Sequence, residues 1–472
     1  MRADLPIVVD LDGTLIRSDL LLEGFLSLLG KDPLSAMAAA TGLLSGKAAF
    51  KERVARSAPP LDAKNLPFNE NVLSYLMAEK SRGRALYLAS ASNGELVGAV
   101  AEHLGIFDGW IASTATDNLK GARKAEKLVE MFGEQNFDYI GNDGADIPVW
   151  KKADKALIVG ACPSLARRLK HDREIQNIPS GRNSIWPWLR LLRPHQWSKN
   201  VLIFVPILTS HKLTTASLIE ACIAFVAFSL SASSVYVMND LVDIQADRAH
   251  PAKRNRPFAS GTVPIVPGMT LGLMLCIAAF LVGSTLSPLF LGVLALYLSV
   301  NVAYTLVLKR KMLIDVVTLA GLYTVRVVAG ATAIDVTMSK WLFAFSLFIF
   351  LFLALIKRHS EMVMRLNTGL ADPSNRTYKS GDVPVIASLA AAAGYSAVIV
   401  FALYISSDLA VSQYRHADYL WLACPIIVYW ISRVLLMSQR YHIREDPVLF
   451  AIRDRVTWMA AGVIFLLGLV AL

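Results

Sequence analysis

The sequence predicts an N-terminal α/β domain followed by an all-α polytopic membrane domain of nine transmembrane helices. Three observations carry this expectation. Of 472 residues, 54% are hydrophobic and only 18% are charged, against an apolar share of roughly 45–50% in soluble globular chains; the mean hydropathy is +0.46. The excess is uneven. Up to Ser184 short apolar runs alternate with charged and Gly/Pro segments, whereas after Trp186 long apolar runs follow one another with basic punctuation. Within the first part, three short strand-like runs each lead into polar groups able to do chemistry. A disordered chain is excluded, and the apolar share argues against an ordinary soluble enzyme.

The expected organisation is an α/β domain over residues 1–166 with a helical insert at about 20–76, a linker over 167–185, and a membrane domain over 186–472. The linker is charged and polar and contains Pro179-Ser180-Gly181. Ile7-Val8-Val9 is too short for the apolar core of a secretory leader and runs straight into Asp10. The first domain is therefore expected in the cytoplasm. Cys162, Cys222, Cys276 and Cys424 are too scattered for a paired metal or redox motif. The formal charge of +10 reads as basic cytoplasmic loops, with no nucleic-acid partner.

A spanning helix takes about 20 apolar residues. Candidates lie at 221–238, 268–286, 289–308, 312–334, 341–356, 385–405, 419–437 and 456–472. A weaker one at 197–209 carries Pro206. Counting it, the loops on the side of the first domain hold Arg248, Lys253, Arg254, Arg256, Lys309, Arg310, Lys311, Lys357, Arg358, Arg365 and further bases. The opposite loops hold only Lys212, Lys340 and Arg415. That bias puts the basic loops inside and fixes the count at nine, in a bacterial-type inner membrane.

Ile7-Val8-Val9 leads into Asp10-Leu11-Asp12-Gly13-Thr14. Two carboxylates two residues apart at a strand's end can share one site: one attacks phosphorus, the other protonates the leaving oxygen. A second strand, 85–89, ends at Ser90, whose hydroxyl can hold a phosphate oxygen. Lys120 precedes a helical stretch and can neutralise phosphate charge. A third strand, 139–141, leads into Asn142-Asp143-Gly144-Ala145-Asp146, which offers oxygen ligands to Mg²⁺. In this order the elements resemble the haloacid-dehalogenase-like (HAD) phosphatase superfamily. The resemblance implies a doubly wound α/β domain with 20–76 as its helical cap and Asp10 as nucleophile. It also implies Asp12 as acid/base, Ser90 and Lys120 (or Lys124) as phosphate contacts, and a metal at Asp10, Asp12 and Asp146. The sequence departs from the family at Asn142, where an Asp is usual.

In the second half, Asn239, Asp243 and Asp247 are spaced i, i+4, i+8 behind an apolar span, with Asp240 beside them. Carboxylates this close repel unless a cation joins them. Oxygen ligands select Mg²⁺, which reaches substrates through phosphate oxygens. The bases Lys253, Arg254 and Arg256 follow within ten residues and suit a metal-bound diphosphate. Later loops add Tyr304, Lys309, Lys357, Arg358, Glu361 and Arg376 as candidate substrate contacts. Arg326, inside an apolar span, is functional or a partner of Asp315.

The motif Asn-Asp-x-x-Asp-x-x-x-Asp resembles that of the UbiA-type polyprenyltransferase superfamily. The segments 193–200, which contains Lys199, 247–261 and 446–455 look most like its decaprenyl-phosphate phosphoribosyltransferase branch. The resemblance implies nine helices around a cavity open to lipid, with Mg²⁺ on Asn239, Asp240, Asp243 and Asp247. It further implies transfer of 5-phosphoribose from phosphoribosyl diphosphate to a polyprenyl phosphate, the fused domain dephosphorylating the product. Two alternatives stay open: a prenyltransferase moving a prenyl group from a polyprenyl diphosphate to an aromatic or other acceptor, and a transporter or lipid-binding membrane protein with an inactive HAD-like domain.

Overall fold

Ile7, Val8 and Val9 are all fully buried, as a central parallel strand covered on both faces requires. They form β1 (Ile7–Asp10) of a six-stranded parallel sheet with β2 (Leu86–Asn93), β3 (Gly109–Ser113), β4 (Asp138–Gly141), β5 (Lys155–Val159) and β6 (Glu174–Ile178), in the order β3-β2-β1-β4-β5-β6. The order reverses at β1, so the carboxyl end of β1 opens at a topological switch point, where open α/β sheets bind ligands. The computed structural model describes residues 5–59, 62–114, 118–160, 163–169, 174–180, 184–251, 253–368, 378–440, 450–451 and 453–472.

The two faces of the sheet follow the period-2 alternation of its strands. Ile7 and Val9 pack with Leu86, Leu88 and Ile140 under α4 (Glu70–Ser81) and α5 (Gly94–Leu104). Val8 packs with Tyr139, Ala156 and Ile158 under α6 (Ala122–Phe132), α7 (Ile147–Trp150) and α8 (Pro163–Leu169). Between β1 and β2 the insert contributes α1 (Leu20–Lys31), α2 (Pro33–Ala40) and α3 (Lys47–Ser57), which close their own small core around Leu28, Phe50 and Val54. Asp19 caps α1 by accepting from Leu22 N at 2.9 Å, the side-chain bond that an N-terminal turn lacks.

Contacts divide the chain into two units: Met1–Leu192 with Tyr236–Gly272, and Arg193–Val235 with Leu273–Leu472. The first thus includes α9 (Trp186–Leu192) and α12 (Ile244–Ala249). In the second, after the short α10 (Val205–Thr209) and the start of α11 (Thr215–Val242), come most of α13 (Ile265–Gly283), then α14 (Pro288–Leu306), α15 (Ile314–Ala333) and α16 (Lys340–Thr368). α17 (Val383–Ile405), α18 (Asp408–Gln413), α19 (Ala423–Gln439) and α20 (Arg455–Ala471) complete it. Its largest core joins Val327, Phe352, Ile356, Ala390, Ile431 and Val434 from α15, α16, α17 and α19. A second gathers Phe228, Phe290, Leu294 and Tyr297.

Among the described residues seven helices are long and apolar enough to cross a membrane: Thr215–Val242, Ile265–Gly283, Pro288–Leu306, Ile314–Ala333, Lys340–Asn367, Val383–Ile405 and Ala417–Gln439. Exposed leucines, valines and methionines stud their outer faces, among them Leu273, Met274, Leu281, Leu289 and Val385, the pattern of a multi-pass membrane protein. Seven of the expected nine are thus found among the described residues. The stretch 197–209 divides into a 3₁₀ helix, Pro194–Phe204, and the five-residue α10, because Pro206 opens a new helix rather than continuing one. α20 is apolar and has 17 residues, at the lower end of the roughly 17–25 that cross a bilayer.

Candidate functional site

Alternation along β1 puts Asp10 on the face of Val8, the face covered by α6. The first turn of α6 supplies Lys124, buried, whose Nζ donates to Asp10 Oδ1 at 2.6 Å, to Tyr139 OH at 3.1 Å and to Ala89 O at 3.4 Å. Thr14 Oγ1 donates to Asp10 Oδ2 at 3.2 Å. Beyond Asp10 the chain doubles back through Gly13 at φ +78°, where a Cβ would stand 2.5 Å from Asn142 Nδ2; both the angle and the space call for glycine. Asp12 takes a different set of donors. Its Oδ1 accepts from Leu20 N at 2.9 Å, and its Oδ2 accepts from Ser92 Oγ at 2.7 Å and Ser90 Oγ at 3.1 Å.

Burial raises both pKa values above the usual carboxylate range. Lys124 opposes the rise at Asp10, while the charge of Asp19 reinforces it at Asp12. Asp10 thus has a cationic hydrogen-bond donor, whereas the donors to Asp12 are neutral. Asp146 accepts from Tyr139 OH at 2.9 Å and from the N–H groups of Asn142 and Asp143 at 3.0 and 3.2 Å. Burial, then the charge of Asp10, pushes its pKa up to about 6.

Several expectations are corrected here. Lys124, not Lys120, reaches Asp10: Lys120 precedes α6 and is exposed, whereas Lys124 sits on the helix's inner face. Ser90 Oγ donates to Asp12 Oδ2 at 3.1 Å, beside the carboxylates where it was expected. Asp10, Asp12 and Asp146 do not gather at one point, and among the described residues no three His, Cys, Asp or Glu side chains do. Each is turned onto a different donor set, and Asn142 spends its carbonyl on Thr14 Oγ1 at 3.1 Å. A three-acid cage does not fit this site. Two residues were missed. Ser92 stands two positions beyond Ser90 on β2, so strand register would have found it. Lys51, on α3, donates to Ala91 O and Asn118 Oδ1, both at 2.9 Å. Burial lowers its pKa, against the pull of Asp12. Contacts 40 and 67 residues away leave no local signal.

The Asp-rich segment straddles the end of α11. Helical hydrogen bonds run through it, Asp243 N to Asn239 O at 3.0 Å and Asp247 N to Asp243 O at 2.8 Å. The acids that converge are nevertheless i and i+7: Asp240 Oδ1 and Asp247 Oδ2 accept from one nitrogen, Arg256 Nη1, at 3.1 and 2.6 Å. Both are buried, while Asn239 and Asp243 are partly exposed. Burial raises the pKa of Asp247, and Arg256 opposes the rise. Two carboxylates meeting at one point fit a hard cation such as Mg²⁺, which takes one or two carboxylates and completes its shell with water and substrate phosphate. Arg256 therefore serves the acids, whereas Lys253 and Arg254 are exposed on the turn that follows His250.

In the second unit, Arg358 donates from Nε to Asp315 Oδ2 at 2.6 Å, from Nη1 to Glu361 Oε2 at 2.6 Å and from Nη2 to Tyr304 OH at 3.2 Å. Tyr378 OH donates to Asp315 Oδ1 at 2.5 Å. The expected trio Tyr304, Arg358 and Glu361 is brought together, with Asp315 and Tyr378 added. The guanidinium is thereby committed to two carboxylates instead of being left for a phosphate. Lys309, Arg310 and Lys357 lie partly exposed on neighbouring turns; Arg376 lies outside the described residues. Arg326 does not meet Asp315, which is three turns away along α15. It binds Asn200 Oδ1 at 2.9 Å, Leu322 O at 2.5 Å and Tyr297 OH at 2.9 Å. Lys199 Nζ stands 5.7 Å from the Tyr323 ring centre, within cation–π range.

Residues 203–457 match the model of the UbiA prenyltransferase family. An uncharacterised protein of Sinorhizobium fredii, y4nM, is 33% identical over 98% of this chain and 90% of its own. The decaprenyl-phosphate phosphoribosyltransferase of Mycolicibacterium smegmatis is 31% identical over 58% of this chain and 89% of its own. Among solved structures, a UbiA homologue from Archaeoglobus fulgidus bound to DMAPP and Mg²⁺ is similar with 14% identity and a TM-score of 0.47, covering 60% of this chain and 98% of that one. An apo phosphoserine phosphatase gives 19% and 0.27, covering 37% and 93%. With a family model spanning more than half of its length, the chain belongs to the UbiA prenyltransferase family.

Proposed function

We propose that this chain is a Mg²⁺-dependent transferase that moves 5-phosphoribose from phosphoribosyl diphosphate to a polyprenyl phosphate. The observation that carries the reading is the convergence of Asp240 and Asp247 on one cationic nitrogen, followed within ten residues by Lys253, Arg254 and Arg256. The likeness to a decaprenyl-phosphate phosphoribosyltransferase supports the choice of co-substrate. Asp240 and Asp247 hold the cation, joined by Asn239 and Asp243 on the same helical run. When bound, Mg²⁺ neutralises charge on the diphosphate. A phosphate oxygen of the lipid attacks ribose C1 as the C1–O bond to diphosphate breaks, and the electron pair leaves with the diphosphate. Arg256, released from the two acids, joins Lys253 and Arg254 in meeting that growing charge. Residues 186–472 form the membrane domain, in the inner membrane, with the α/β domain on the cytoplasmic side.

The α/β domain, residues 1–166 on this reading, removes the product's 5-phosphate. Asp10 attacks phosphorus, and Asp12 gives its proton to the departing alcohol oxygen. Asp12 then takes a proton from the water that attacks the aspartyl phosphate, releasing inorganic phosphate and restoring Asp10. Lys124 and Lys51 meet the phosphate's charge. This part rests on the opposed settings of Asp10, which has a cationic partner, and Asp12, which has only neutral donors.

The test is to supply radiolabelled phosphoribosyl diphosphate and polyprenyl phosphate to the purified full chain with Mg²⁺. Labelled lipid is expected, and Asp247→Asn should lower its formation by about a hundredfold or more. No labelled lipid, or an undiminished rate in Asp247→Asn, overturns the transferase reading. Alkylation of an acceptor by labelled prenyl diphosphate without any sugar donor would replace it with prenyl transfer.

A further inference from the structure

The first unit includes the end of α11 and the start of α13, and the helical insert packs on both. Contacts along α1 run antiparallel to the chain that leaves α11. A Cβ at Gly30 would stand 2.6 Å from Val242 Cγ1. Ser27 Oγ donates to Gln245 Oε1 at 3.0 Å, and Glu23 accepts from Arg248 Nη1 and Nη2 at 2.7 and 2.5 Å. The C-terminal end of α1 therefore lies beside the last turn of the span, and its N-terminal end lies beyond it. Leu22 and Leu26 of α1 share one small core with Leu241, with Ile265 of α13 and with Trp188 of α9. α13 has 19 residues. At about 1.5 Å per residue it barely matches the roughly 30 Å of a hydrocarbon core, so Ile265, its first residue, stands at the bilayer surface. The insert is held at that surface, with the C-terminal end of α1 toward it.

From that end the chain enters α2 and the 3₁₀ turn Thr41–Ser45. Here the usual amphipathic arrangement is inverted. The buried positions are the small Ala36, Ala39 and Gly42, with the two alanines packed on Leu28, Phe50 and Val54. The large Leu34, Met37, Leu43 and Leu44 are instead 79, 67, 54 and 91% exposed. Single exposed apolar side chains are ordinary, but a cluster of large ones marks a contact surface. No charged residue occurs from Pro33 to Gly46, while 31–56 as a whole carries five bases against two acids. α9, joined to the same core as α1, also exposes Ile185, Trp186 and Leu189, and tryptophan favours the bilayer interface. An apolar face with basic flanks, on an insert already at the bilayer surface, fits anionic lipid. We propose that α2 and the turn after it lie in the bilayer interface, with Leu34, Met37, Leu43 and Leu44 among the acyl chains, and so anchor the insert of the α/β domain to lipid. The contact is independent of which reaction either candidate site performs.

The test places p-benzoylphenylalanine at Leu44, at Met37 or at Glu126 of the full chain, in nanodiscs of phosphatidylcholine and phosphatidylglycerol. Glu126, exposed on α6, is the aqueous reference. After irradiation, mass spectrometry should find phospholipid adducts at Leu44 and Met37 in at least about five times the yield at Glu126. Leu34→Glu/Leu43→Glu should lower the adduct at Met37 about threefold or more, because acids are disfavoured among acyl chains and repelled by anionic headgroups. If that variant does not fold, Leu44→Glu, at the most exposed of the four positions, serves in its place. Yields at Leu44 and Met37 no higher than at Glu126 overturn the proposal, and so does an undiminished adduct in the glutamate variant. A covalent dimer in place of the lipid adduct also overturns it and assigns the patch to a second copy of the chain.

Discussion

At the scale of single residues, burial sets the chemistry and neighbours differentiate it. Asp10 and Asp12 are both raised by desolvation, but only Asp10 has an ammonium group 2.6 Å away. Asp10→Asn is expected to lower p-nitrophenyl phosphate hydrolysis by about a thousandfold or more, as loss of a nucleophile does. Lys124→Met should lower it by roughly a hundredfold through loss of charge stabilisation; an unchanged rate in either variant would remove that residue from the site. Away from the site, Asp108 shows the ordinary surface case. Hydrogen bonds from Lys80 and from Leu86 N hold its pKa below the usual 3.8. A depressed carboxylate contributes stability above its unfolded pKa and loses it as pH falls through the folded one. Asp108→Asn should therefore melt below wild type at pH 7 and close to it at pH 2.5, as followed by thermal denaturation of the two proteins.

Elements show where backbone shape decides. The 3₁₀ helix Pro194–Phe204 lies so close to α15 that a Cβ at Gly330 would stand 2.0 Å from Ile203 O. Carbonyl and helix backbone leave no flexible side chain to yield. Gly330→Ala should destabilise the second unit by about 1–3 kcal/mol, the usual range for overpacking, measured by thermal unfolding in detergent. A variant as stable as wild type would show that the 3₁₀ helix shifts freely. The same element explains why 197–209 is no ordinary span: it carries Asn200 and Lys199 toward Arg326 and Tyr323, so it is built around side-chain contacts rather than length. The i, i+4, i+8 acids give a parallel lesson. A helix of 3.6 residues per turn returns closest to register at i+7, and Asp240 with Asp247 is the pair that meets.

On the scale of the whole molecule, one chain joins a parallel α/β domain to a UbiA-family membrane domain, and the proposed order of reactions makes a product pattern. Given phosphoribosyl diphosphate and polyprenyl phosphate, the wild type should yield the dephosphorylated ribosyl lipid. Asp10→Asn should accumulate the lipid that still carries the 5-phosphate, separable by mass spectrometry as one phosphate heavier. Equal products from both proteins would show that the α/β site acts on another substrate. Chelation with EDTA should stop formation of either lipid, and added Mg²⁺ should restore it.

The sequence by itself determined the two solvents of this chain, the parallel α/β class of its first part, the run of apolar helices after Trp186, and the acids at the ends of β1 and α11. Apolar period and runs of like residues are local properties, so they are readable without coordinates. Which base serves which acid was decided only in three dimensions. Lys124 displaced Lys120, Arg358 went to Asp315 and Glu361, and Arg248 went to Glu23, 225 residues away. An ion pair costs its desolvation wherever it forms, and only packing fixes which charges are buried together. That choice has no signature in spacing along the chain.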